Sequence, residues 1–128
     1  MIYGIGIDLI EINRFNHWHT YSDQKLQRIF SPEEISYCRA LPILSAARFA
    51  TRFAAREAAY KACAAICTPA RISFLQFARI TMITIDRNAA PHITIKWDAL
   101  GLASPLFQLT LSLTHTATTA GAVVIWHN

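Results

Sequence analysis

Glu57 and Lys61 stand four residues apart in FAAREAAYKACAA (53 to 65), a run otherwise dominated by alanine. On a helix that spacing puts both side chains on one face, with Phe53 one turn earlier on the same stripe. A Glu followed by Lys at this spacing is commonly a solvated pair worth about 0.2 to 0.5 kcal/mol. Small residues at 54, 55, 58, 59 and 62 let a backbone or a flat ligand approach closely, yet close helix packing alone does not call for charge among them. Asp8 raises a similar question in GIGIDLI, where its neighbours are apolar or glycine. A buried strand aspartate needs a compensating partner, and a hydrogen-bonded structural role explains it as well as a chemical one does. Two carboxylates from separate elements could together hold a magnesium ion that keeps some waters and takes its other oxygens from a substrate phosphate. Lys61 would then meet the same phosphates as a point charge. The three residues outline a phosphoryl-transfer site.

Such a site needs a strand for Asp8 and a helix for the pair. Ile5, Ile7 and Leu9 are expected to be the buried face of the first strand, with Gly4, Gly6 and Asp8 opposite, leaving backbone room for a ligand near the acid. A polar, partly helical stretch follows, with Arg14, Lys25 and Arg28 directed outward. Ser31-Pro32-Glu33-Glu34 offers an N-cap serine, a proline at the first helical position and a glutamate three residues after the cap, which predicts a short helix. From about Leu44 to Ile66 no proline or glycine intervenes and Pro69 follows, so this is the longest predicted helix. Arg79 to Asp86 and His92 to Trp97 are β-branched runs joined by DRNAAP, a predicted hairpin. The last strands, about Leu106 to Thr114 and Ala120 to Trp126, flank HTATT. In the first of them Leu109, Leu111 and Leu113 alternate with Thr110, Ser112 and Thr114, and His115, at its end, is grouped with that polar face. The order gives an α+β fold, an antiparallel sheet packed on a long helix, as one domain over 1–128.

At 128 residues the chain suits a single core. With 53% hydrophobic and 16% charged residues it is too apolar to be disordered, and self-association is expected. The net charge of +4 favours an anionic partner without choosing among nucleic acid, a nucleotide-like cofactor and an acidic protein. Cys38, Cys63 and Cys67 make neither an even disulfide set nor a zinc pattern, and read as buried thiols in a reducing cytoplasm. MIYGIGIDLIE lacks the basic start and sustained apolar run of an export signal, so a cytoplasmic location is expected. Ala99 to Asn128 carries no Asp, Glu, Lys or Arg, but its Thr and Ser residues, Pro105 and His115 make it sheet and not a membrane span. A nucleic-acid-binding domain would alternate aromatics with Arg and Lys on one sheet face, which these strands do not offer, so no nucleic-acid or membrane partner is expected.

Several ordered segments then resemble one family from end to end. GIGIDLIEINRF (4 to 15) is similar to the opening GIGxDIVEIxRF of the holo-[acyl-carrier-protein] synthases, the small class of 4'-phosphopantetheinyl transferases, and RFAAREAAYKA (52 to 62) to their RFAxKEAxxKA. ISFLQFARI (72 to 80) is similar to sFxxIeV, and LSLTHTATTAGAVVI (111 to 125) to vSlSHtxxyAxAxVi. Ordered motifs at the right spacing are more specific than any one alone. The family lysine before the glutamate is Arg56 here, the glycines after Lys61 are replaced in ACAAICTPA, the Gly-Lys-Pro turn is Ala89-Ala90-Pro91, and the aromatic before the last strand is Thr119.

The resemblance implies a phosphopantetheinyl transferase-like fold and a reaction. A serine hydroxyl of apo acyl carrier protein attacks the β-phosphorus of coenzyme A, receives the phosphopantetheine arm and releases adenosine 3',5'-bisphosphate, for fatty acid biosynthesis. It implies Mg2+ on Asp8 and Glu57, with Lys61 on the phosphates and Glu57, or a water on the metal, as general base. Ser112 and His115 are implied at the coenzyme A end of the site. Arg52 and Arg56, on a neighbouring stripe of the helix, are either solvated or placed for the 3'-phosphate. Arg14, Lys25 and Arg28 are implied to dock the acidic helix of acyl carrier protein. The family works as a homotrimer with each coenzyme site between neighbouring subunits, and it resembles half of a two-lobed transferase. The rival reading is a magnesium-dependent nucleotide or coenzyme A hydrolase, which uses the same carboxylates with water as acceptor.

Overall fold

In a computed structural model that describes residues 1–128, the alanine-rich run lies within α3 (Pro42–Ala62), a helix of 21 residues. Pro42 sits in its first turn, where a missing N–H costs nothing. The helix closes at Cys63 (φ −93°, ψ 17°) and does not run on to Ile66; a separate turn, α4 (Ala64–Cys67), follows. The change of direction buries both Cys63 and Cys67, which with Cys38 are free thiols. No helix is long and apolar enough to cross a membrane.

The main sheet has three antiparallel strands in the order β1 (Ile2–Glu11), β5 (Thr119–His127), β4 (Gln108–His115), and α3 lies across it. A two-stranded antiparallel ribbon, β2 (Thr81–Ile85) with β3 (Pro91–Ile95), forms a second sheet, with β3 packed beside β4. Its turn is set by Asp86, whose Oδ1 accepts from the backbone N–H of Asn88 and Ala90. Two short helices, α1 (Asp23–Leu26) and α2 (Pro32–Arg39), precede α3, and α2 begins with the capping box that Ser31 and Glu34 predict. Arg79 and Ile80 are not strand residues: Ser73 and Gln76 form a second capping box that starts α5 (Phe74–Ile80), so the ribbon begins only at Thr81.

The sense of β1 is the reverse of the expectation. Ile5, Ile7 and Leu9 are exposed, while Gly4, Gly6 and Asp8 face α3. The cause is the closeness of the helix: a Cβ on Gly6 would lie 1.8 Å from the Ala58 carbonyl oxygen, and one on Gly4 would lie 2.0 Å from that of Ala62. The glycines and alanines therefore serve a strand-to-helix contact and leave no ligand space there. Gly6→Ala should lower stability by roughly 1 to 3 kcal/mol, the usual cost of overpacking. Denaturant unfolding checks this, and an unchanged midpoint would mean that α3 does not rest on β1.

Beneath α3 the inner sheet face offers Ala120, Ala122 and Val124, small enough to keep the helix near, and Phe15, Trp18, Phe30, Phe49 and Phe53 stack beside it. On the outer face the register aligns Ile7, Val123 and Ser112 in one row and Ile5, Ile125 and Thr110 in the next. That face is apolar on two of its three strands.

Candidate active site

Asp8 and Lys61 meet across the junction of β1 and α3. Lys61 Nζ donates to the Ile7 carbonyl at 3.0 Å and to Asp8 Oδ1 at 3.1 Å. The lysine thus pairs between elements and not along its own helix with Glu57. Glu57 is half-buried, and its carboxyl is pushed up, first by burial and then by the negative charge of Asp8, while Lys61 and Arg14 pull it down. Asp8, Glu57, Lys61 and Arg14 consequently share one electrostatic neighbourhood. In metal-free protein, Lys61→Met removes one of the two restraining cations, so the Glu57 carboxyl should titrate at higher pH than in the parent. Carboxyl-resolved NMR titration reads this; an unchanged or lower titration point would separate Lys61 from Glu57.

Nowhere does the chain gather three or more His, Cys, Asp or Glu side chains suited to a metal, so it offers no closed cage of its own. Two mutually repelling carboxylates are hard-oxygen donors, and they fit a magnesium ion that completes its shell with water and phosphate oxygens.

A second region lies on the other flank of α3. Arg52 precedes Lys61 by nine residues, about two and a half turns, so the two project to opposite sides. There a cavity of about 350 Å³ is lined by Tyr37, Arg48, Thr51, Arg52, Thr114 and His115, among others. His115 follows the alternation of Leu111 and Leu113, which puts it on the side facing α3 and into this cavity. Ser112 belongs to the outer face opposite Val123, so the structure separates Ser112 from His115 within one chain.

Arg56 is corrected outright. It is neither solvated nor open to a phosphate: its side chain is fully buried and every N–H has a partner. Nη1 and Nη2 bond to the two oxygens of Glu34 at 2.8 and 2.6 Å, Nε to the Ala78 carbonyl at 3.1 Å and Nη2 to that of Thr81 at 2.7 Å. Glu34 Oε1 also accepts from the Ile83 N–H at 3.3 Å, so the pair ties α2, α3, α5 and β2 together. Glu34 was visible in the sequence only as a capping-box residue. Breaking a buried pair leaves an unpaired charge, so Arg56→Met should cost about 3 to 5 kcal/mol, whereas the double variant with Glu34→Met should recover part of the loss. Urea unfolding of the single and double variants tests this, and simple additivity would contradict it.

Arg14, Lys25 and Arg28 are all exposed. Arg14 lies on a short 3-10 turn, Ile12–Phe15, immediately after β1. Lys25 and Arg28 border a cavity of about 490 Å³ with Trp18, Leu26, Leu75 and Arg79, a basic rim over an apolar floor. Leu75 and Arg79 reach that surface because both lie on α5, a helix that the expected strand from Arg79 onward left out.

Residues 4–120 match the model of the 4'-phosphopantetheinyl transferase superfamily. The chain belongs to this superfamily. It is 36% identical over 128 residues to the holo-[acyl-carrier-protein] synthase of Treponema denticola, spanning 98% of each chain. A shorter match, 44% identical over 39 residues, spans 31% of the corresponding synthase of Geotalea daltonii. Among solved structures, a holo-(acyl-carrier-protein) synthase from Bacillus anthracis in complex with CoA (3',5'-ADP) is 28% identical, with a TM-score of 0.73 over 100% of this chain and 98% of that one. The α+β fold with its antiparallel sheet against a long helix is the fold of these synthases.

Proposed function

We propose that this chain transfers the 4'-phosphopantetheine arm of coenzyme A to a serine of apo acyl carrier protein, for fatty acid biosynthesis. The observation that carries the reading is the Asp8–Lys61 bridge at 3.1 Å beside a carboxyl, Glu57, held above its ordinary range. In the reaction the serine oxygen forms a bond to the β-phosphorus of coenzyme A. The bridging P–O bond breaks, and adenosine 3',5'-bisphosphate leaves with the bonding electrons. Asp8 and Glu57 would hold magnesium, which supplies a Lewis acid for the pyrophosphate oxygens. Lys61, half-exposed at the mouth of the site, meets the charge that develops on the leaving phosphate. A Glu57 oxygen, made more basic by burial and by Asp8, takes the serine proton.

A protein acceptor is favoured over water by the surface next to the site. Arg14 adjoins Glu57, and Lys25, Arg28 and Arg79 continue the positive charge around an apolar hollow, a combination that suits an acidic amphipathic helix. The Arg52–His115 cavity receives the nucleotide end of coenzyme A. Because it lies on the opposite flank of α3 from Asp8, one coenzyme is best shared between the Asp8 flank of one subunit and the Arg52 flank of the next. The uncovered apolar face of β1 and β5 supplies a surface for such a homotrimer, which in turn brings the outward-facing Ser112 to a subunit boundary. Free buried thiols accord with a cytoplasmic setting. Incubation of apo acyl carrier protein with the enzyme, magnesium and coenzyme A should add one phosphopantetheine mass at its serine. No gain on any carrier protein from the same source would sink the proposal.

A further inference from the structure

The basic surface beside the active site has little regular structure to hold it. Lys25 lies on α1, a helix of only four residues, and Arg28 follows just after its end. A helix that short is marginal in water without outside support. From below, Leu26 and Phe30 anchor it in the core, and Ser22 caps it by accepting from the Lys25 backbone N–H at 3.2 Å. Ahead of it, the chain passes from a 3-10 turn, Trp18–Thr20, almost directly into α1.

Arg39, the last residue of α2, grips that entry from the side. Its Nε donates to the His19 carbonyl at 3.3 Å, its Nη2 to the Tyr21 carbonyl, and its Nη1 to the carboxylate of Asp23, the first residue of α1. One planar guanidinium thus binds three points along a single turn, a fork that the point charge of a lysine cannot copy. The turn in its grip is part of the docking surface. Lys25 Nζ lies 3.8 Å from the centroid of the Tyr21 ring, and the Tyr21 ring lies 5.8 Å from that of Trp18. Trp18, Tyr21 and Lys25 all line the 490 Å³ hollow, whereas Arg39 stands behind them and is not among its lining residues. Asp23 is also the only acid between residues 12 and 30, and its one ion pair is with Arg39.

We infer that Arg39 is a positioning residue for the protein acceptor: it fixes Tyr21, and through that ring it holds the Lys25 cation at the rim of the hollow where the acidic helix docks. The inference rests on the transferase reading above. Without the fork, the turn and the Lys25 side chain would have to be ordered as the carrier binds, and that cost would fall on carrier affinity alone. The chemistry at Asp8, Glu57 and Lys61 would be untouched, because the side-chain bonds of Arg39 go only to residues 19, 21 and 23.

Steady-state kinetics of Arg39→Met with each substrate varied in turn gives the first test. The carrier-protein KM should rise about tenfold, the scale of ordering one or two long side chains at the moment of binding, while kcat and the coenzyme A KM stay within about twofold of the parent. Arg39→Lys, which keeps the charge without the fork, should show the same split in smaller measure, and it carries the comparison if Arg39→Met does not fold. Arg39→Met combined with Asp23→Asn leaves the net charge of the surface unchanged and should keep most of the impairment. A parental carrier KM in that double variant would mean that Arg39 only neutralises Asp23, and would overturn the inference; so would equal rises in both KM values. A second test needs neither carrier nor turnover. In the free protein the Tyr21 ring current should displace the Lys25 side-chain proton resonances upfield, and Arg39→Met should remove most of that displacement. An unchanged displacement would overturn the inference and leave the transferase reading intact, whereas absence of transfer by the parent would overturn the transferase reading itself.

Discussion

Glu57→Gln and Asp8→Asn should each slow phosphopantetheine transfer by about a thousandfold, because metal charge stabilisation of several kcal/mol is lost at about 1.4 kcal/mol per decade of rate. Neither change should unfold the chain. The fold already disfavours a charged Glu57, through burial and through Asp8, so a neutral amide there relieves a penalty. Asp8→Asn gives up a bridge to a lysine whose side chain is 51% exposed, an interaction worth less than about 1 kcal/mol in such a setting. Catalysis and stability are thereby separated, and kinetics paired with thermal unfolding read the separation. Magnesium affinity should fall with the rate. If both variants kept normal turnover at low magnesium, the metal assignment would be wrong. The same logic fixes a pH limit: Glu57 must be ionised to hold metal or accept a proton, so activity should fall as pH drops through its raised pKa.

Arg14→Glu should raise the carrier-protein KM by about tenfold or more, because it sets like charge against an acidic partner where opposite charge had been. Arg14 is exposed, and it helps restrain the Glu57 carboxyl, so it links the docking surface to the site. Reversing its charge should also push Glu57 further up and move the acid limb of the rate profile to higher pH. The KM for coenzyme A should rise much less than that for carrier protein, since Arg14 is not among the residues lining the nucleotide cavity. Steady-state kinetics with each substrate varied in turn distinguishes these effects. Equal losses for carrier and coenzyme would argue for misfolding and against a docking role.

What the sequence made legible was local or ordered along the chain. The Ser31 capping box, the long alanine-rich helix and the final strand pair could be located because caps, proline spacing and alternation act over a few residues. Asp8, Glu57 and Lys61 were found as chemistry, and the structure brings them together. Which face of β1 is buried was not legible: Gly-Ile alternation has the same period whichever side meets the core, and glycine admits a helix as readily as a ligand. The direction of Arg56 depended on α2, where Glu34 lies 22 residues earlier in the chain. The stacking of Arg48 and Arg52 on Tyr37 depended on the same packing. His115 was a different case, since its odd position in the register with Leu111 and Leu113 already set it apart from Ser112. The uncovered outer face of the sheet answers the excess of apolar residues that composition alone had shown.

The central claim is that the phosphoryl acceptor is a protein serine and not water. It is tested most directly by measuring, in one reaction, the adenosine 3',5'-bisphosphate released and the phosphopantetheine mass gained by acyl carrier protein. Coupled transfer predicts one bisphosphate per modified carrier and none when carrier is omitted. Bisphosphate released at the same rate without carrier, or with the carrier left unmodified, would contradict it and identify a hydrolase.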